Sequence, residues 1–132
     1  MPTVVRRSVS TLMENRREII HAIGWQVNAN IWSPPTDVYE TDKAFVVKVE
    51  IAGMREEDFE VAIENNVLMI SGNRPGSNER CAYHQMEIRS GKFEITVEMS
   101  APVKVEMAVA EYKDGFLTIH LPKADRNQTE VK

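Results

Sequence analysis

A chain of 132 residues, 42% apolar and 27% charged, has room for one hydrophobic core but not two. Its net charge of −4 comes from acidic and basic residues mixed along the chain, and no basic stripe follows a phosphate backbone, which argues against a nucleic-acid partner. The single cysteine, Cys81, allows no intramolecular disulfide, and the N-terminus lacks an apolar run long enough for a signal peptide or membrane span, so a reducing compartment, the cytoplasm, is expected.

Residues 1–31 differ in character from the rest. Thr11 and Glu14 fit a capping box, and Leu12, Ile19, Ile20, Ile23 and Val27 fall near one helical face. Such a short amphipathic helix must bury its stripe against something. Two readings stand: it packs on its own domain, or Leu12, Ile19, Ile20, Ile23 and Trp25 meet other subunits or an unfolded client. Trp32-Ser33-Pro34-Pro35 then forms a rigid connector, because two prolines exclude helix and push Ser33 toward extended geometry.

From here the period is 2. Residues 36–41 read as a short strand, and Phe45, Val47, Val49 and Ile51 face one way while Lys48 and Glu50 face the other. Phe59, Val61 and Ile63 alternate with Glu60, Ala62 and Glu64. Asn65-Asn66 tolerates left-handed backbone and turns the chain into a partner strand at 67–71. Residues 73–82 are polar and contain Gly and Pro, a long loop rather than a tight turn. A further short strand is expected at 83–89. Phe93, Ile95, Val97 and Met99 give the cleanest alternation in the chain. Residues 107–112 and 116–121 form a last hairpin around Asp114-Gly115, a pair suited to the positive φ of a type I′ turn. Met69 and Met99 are expected in packed positions, and Met107 facing outward. Short strands with frequent turn signals and no helix between them predict an all-β fold, an antiparallel immunoglobulin-like β-sandwich. Its expected limits are residues 32–123, with an N-terminal arm at 1–31 and a polar, flexible tail at 124–132.

Catalytic and metal chemistry find little support. His21, His84 and His120 lie at no metal-ligand spacing from one another or from Cys81. No G-x-S-x-G, H-E-x-x-H or G-x-x-x-x-G-K-[ST] pattern occurs, and the carboxylates alternate with apolar residues as on a solvated sheet face. The expectation is a binding protein without cofactor, metal or small-molecule substrate, working through sheet edges and apolar surface.

Four segments in order carry a resemblance: WSPPTDVYETD (32–42), VVKVEIAGMREEDFEV (46–61), NVLMISGNR (66–74) and AEYKDGFLTIHLPK (110–123). Together they resemble the small heat shock proteins, the Hsp20 or α-crystallin domain family, and Ala110, Asp114, Gly115 and Leu117 match that family's closing signature. The resemblance implies an ATP-independent holdase that binds partly unfolded proteins, and an α-crystallin sandwich assembled as a homodimer or larger homo-oligomer. It implies a segment within 73–86 exchanged between subunits, with Tyr83, His84 and Met86 in it. It also implies a groove for a neighbour's tail, lined by Phe59, Val61 and Ile63 on one side and by Met107 and Val109 on the other. The tail here has Thr129-Glu130-Val131 where the family has Ile-x-Ile/Val, and Ile95 stands where many members carry Arg. The alternative is a co-chaperone or adaptor like the CS-domain proteins, binding one folded partner.

Overall fold

Where apolar and polar residues alternate, the backbone is extended and the apolar set points inward. The structure, a computed structural model, describes residues 31–124 and, within the arm, the strand Val5–Ser8. The strands are β1 (Val5–Ser8), β2 (Thr36–Glu40), β3 (Ala44–Glu50), β4 (Phe59–Glu64), β5 (Val67–Arg74), β6 (Gly91–Glu98), β7 (Val109–Lys113) and β8 (Phe116–Pro122). They form a five-stranded sheet in the order β1-β7-β8-β3-β2 and a three-stranded sheet, β4-β5-β6. All ladders are antiparallel. The two inner faces make one core, with Phe45, Val47, Val49, Leu117, Ile119 and Leu121 on one side and Phe59, Val61, Ile63, Leu68, Ile70, Phe93 and Ile95 on the other. This is the expected antiparallel β-sandwich.

Two turns carry the backbone geometry that their residues favour. Asp114 (φ +54°) and Gly115 (φ +84°) close the β7–β8 hairpin, and Asn65 (φ +54°) and Asn66 (φ +65°) close β4–β5. Each two-residue turn fixes its register, and register decides which side chains reach the core. The chain passes between sheets through residues 51–58, with a single 3-10 turn at Glu56–Asp58, and returns through 99–108, with another at Val105–Met107.

Several expectations need amendment. Residues 83–89 form no strand in the single chain, because no neighbouring strand offers a ladder there. Met69 is only half-buried, since it sits on the outer face of β5 opposite Ala62 and Thr96, whereas Met99 is buried. Strand β1 was not evident in the sequence; it pairs with β7 from Val5↔Tyr112 to Ser8↔Val109. The expected amphipathic helix of the arm, and with it Leu12, Ile19, Ile20, Ile23 and Trp25, lies outside the described residues, as does the tail at 125–132.

One close approach holds the small sheet against its entry turn. A Cβ at Gly72 would lie 2.7 Å from the Phe93 ring and 2.8 Å from the backbone oxygen of Asp58. Both neighbours are fixed, the ring in the core and the oxygen in the main chain. Gly72→Ala is therefore expected to cost about 1–3 kcal/mol, the range for overpacking a tight interior. A lowered urea midpoint with unchanged slope would report it, and an unchanged midpoint would contradict the contact.

Candidate functional site

Strand β2 is one of the two outer strands of the larger sheet, paired on one side with β3 and on the other with nothing among the described residues. Such an edge presents unpaired N–H and C=O groups and can accept an added strand. Val38 lies in register with the buried Val47, yet it is 49% exposed because three strands face five and do not reach beneath it. Tyr39, on the other face, is 50% exposed. The edge is thus apolar on both faces at its centre, between Asp37 and Glu40.

The second feature is the loop at residues 75–90. β5 and β6 are antiparallel neighbours, which a turn of two to five residues could join, so this length is not required by the sheet. The loop carries Tyr83, Met86 and Ile88, which are 55%, 65% and 79% exposed. Tyr83, His84 and Met86, the exchange residues implied by the resemblance, all lie here and are exposed. Ile88 was overlooked, although its alternation with Met86 across Glu87 is a strand-like signal.

The loop's base is well fixed. Arg74, the last residue of β5, donates from Nε and Nη2 to the carbonyl oxygen of Arg89 at 2.9 and 2.7 Å, and from Nη1 to that of Ala52 at 3.3 Å. Its guanidinium lies over the Trp32 ring, 4.7 Å from the centroid, and that of Arg89 lies at 5.5 Å. Trp32 donates from Nε1 to the carbonyl of Gly91 at 3.2 Å and meets Phe93 edge to face. Its main chain bridges to β6 as well, through Trp32 N–H to Lys92 O and Glu94 N–H to Trp32 O.

The expected groove residues divide into two groups. Phe59, Val61 and Ile63 are buried in the core, whereas Val109 is half-buried and Met107 is 57% exposed. The rings of Phe59 and Tyr112, 5.0 Å apart, bring β4 and β7 together at one end. The outer edge of β7, beside Val109, is already paired with β1. No group of three His, Cys, Asp or Glu side chains among the described residues is arranged to hold a metal ion, and no described helix is long and apolar enough to cross a membrane.

Comparison with known proteins agrees with this geometry. Residues 37–132 match the family described as Hsp20/alpha crystallin family. The chain is 36% identical over 121 residues to the 16.9 kDa class I heat shock protein 1 of Triticum aestivum, covering 88% of this chain and 80% of that one. It is 30% identical over 105 residues to small heat shock protein C4 of Rickettsia felis, covering 78% of this chain but 64% of that relative, less than two thirds of its length. Among solved structures, heat shock protein 16.0 from Schizosaccharomyces pombe superposes with a TM-score of 0.65 at 30% identity, over 70% of this chain and 88% of that one.

The β4–β7 contact has a polar component. Tyr112 donates its hydroxyl to the carbonyl of Ile51 at 2.8 Å in a buried position. Tyr112→Phe keeps the ring and leaves that carbonyl without the hydroxyl donor. A loss of about 1–2 kcal/mol in urea unfolding is expected, and no loss would show that the bond contributes nothing net.

Proposed function

Because this chain belongs to the Hsp20/alpha crystallin family, we propose that it is an ATP-independent holdase, assembled from dimers in which the loop of one subunit pairs with the β2 edge of the other. The observation that carries this reading is where the exposed apolar side chains lie. Of the seven large ones among the described residues, five are in the two partners of the proposed exchange, Val38 and Tyr39 on β2 and Tyr83, Met86 and Ile88 in the loop. A two-fold axis would satisfy both at once, since each subunit offers one β2 edge and one loop. Within 83–89, His84, Met86 and Ile88 share one face of an extended strand, and Tyr83 takes the other.

Partly unfolded proteins suit such a molecule as partners because they present apolar segments and unpaired backbone. The arm, through Leu12, Ile19, Ile20, Ile23 and Trp25, supplies apolar residues for clients or for larger assembly. Met107, exposed, and Val109, half-buried, are the accessible members of the groove proposed for a neighbour's extended segment, with Phe59, Val61 and Ile63 buried in the core. The cytoplasm remains the proposed location, and the free thiol of Cys81 fits a reducing compartment. No reaction, cofactor or small-molecule substrate is assigned.

Two measurements test the proposal. A heat-aggregating enzyme should stay in solution without ATP when this protein is present in about equimolar amount or modest excess; equal light scattering with and without it sinks the holdase reading. Sedimentation should show a dimer or larger, and Ile88→Lys together with Met86→Lys should weaken the dimer at least about tenfold, since each would place a charge in an apolar contact. A wild-type chain monomeric at all concentrations would favour an adaptor that binds one folded partner.

A further inference from the structure

The base of the 75–90 loop is built more firmly than a connection requires. Joining β5 to β6 needs only a short turn, yet one side chain, Arg74, makes two hydrogen bonds across the loop's ends and a third to Ala52, and stacks on an indole. The three acceptor and stacking partners belong to different parts of the chain. Arg89 is the returning end of the loop, Ala52 lies just beyond β3, and Trp32 begins the connector that leads through Pro34 and Pro35 into β2. The guanidinium therefore ties the loop to the approach of the strand edge that the loop of a second subunit would meet.

We infer that Arg74 is a positioning residue, which, clamped between Trp32 and the carbonyls of Arg89 and Ala52, sets the orientation of the exchange loop relative to β2. The inference rests on reading that loop as the exchange segment and adds what holds it in place. A planar fork with several fixed donors suits this task and an ammonium does not: two donors converge on one carbonyl, a third reaches another, and the flat face covers the ring. Gly91 supplies the matching backbone bend. Its φ of +94° turns the chain just after Arg89, and no atom lies within 4 Å of where a Cβ would be, so conformation rather than space calls for glycine there. A loop oriented before association loses less freedom when its partner docks, which strengthens the dimer without adding any contact to it.

The test uses the full chain in a Trp25→Phe background, so that Trp32 alone reports by fluorescence. Arg74→Ala and Arg74→Lys should both shift Trp32 emission to longer wavelength and raise tryptic cleavage after Arg80 about tenfold, because the loop opens more often. Both should weaken the dimer by a similar factor in dilution sedimentation. Lysine should fail to rescue, since it keeps the charge without the fork. Gly91→Ala approaches the clamp from the backbone and should move cleavage in the same direction, which covers the case in which an Arg74 variant fails to fold. Wild-type emission and cleavage in the Arg74 variants overturn the inference. So does a cleavage rate that rises only in step with a falling melting temperature, because Arg74 would then serve general stability. If the wild-type chain proves monomeric while emission and cleavage still respond, the clamp stands and the exchange reading fails.

Discussion

The two sheets depend on how Ile51 leaves the larger one. Ile51 is fully buried, and beyond it the chain crosses to the other sheet, where its peptide groups would have no ladder. The β7–β8 hairpin answers both. The N–H of Ile51 donates to Gly115 O at 2.8 Å, and its carbonyl accepts from the Tyr112 hydroxyl at 2.8 Å. That hydroxyl also accepts from the N–H of Met54, further along the crossing. A buried peptide group left unpaired costs about as much as several ordinary contacts contribute, so the crossing is possible only where the hairpin stands. The turn at Asp114-Gly115 in turn sets the hairpin's register, pairing Lys113 with Phe116 and Tyr112 with Leu117. A slip of one residue would point Tyr112 to the outer face and remove the donor from Ile51. A local turn preference thereby governs where the chain changes sheets.

This chain of dependence explains which parts of the fold were readable in the sequence. β3, β6 and β8 were, because each has one buried face and a side-chain period of 2 makes that visible. The turns at 65–66 and 114–115 were, because positive φ restricts residue type. The outer faces were less so: Val46 and Ala62 are buried there although the alternation assigns them outward. Burial on an outer face depends on what else covers the sheet, and no local pattern records that. β1 was unreadable for a related reason. Val5–Ser8 pairs with residues more than a hundred positions away, and its strand state comes from the ladder alone.

Of the candidate site, the loop was legible in the sequence but its internal structure was not. A polar stretch with Gly and Pro marks the loop, but its strand-like half has no ladder within one chain, so the expected strand at 83–89 is absent. Ile88, the most exposed apolar side chain of the loop, does not stand out in the sequence because one alternation with Met86 is too short a signal to count. The base of the loop was not legible at all. Arg74 and Arg89 look like ordinary solvated cations, and Trp32 looks like part of a connector; only the folded chain places both guanidiniums over that ring.

An open edge is a hazard unless something limits what pairs with it. β2 is limited in three ways. It is five residues long, it is entered through Pro34 and Pro35, and it carries exposed carboxylates at Asp37 and Glu40. Its far end is anchored, since Lys123 pairs with Glu40 and lies over the Phe45 ring. A long strand of another protein would run past the prolines at one end and this anchored corner at the other. A short segment fits between them. The loop offers a segment of that kind, with Glu79, Arg80, Glu87 and Arg89 giving it balanced charge, so apolar contact and backbone pairing rather than net attraction would decide the match. In the proposed dimer, length and entry geometry, more than charge, would make the edge selective for a partner that is itself short and already oriented.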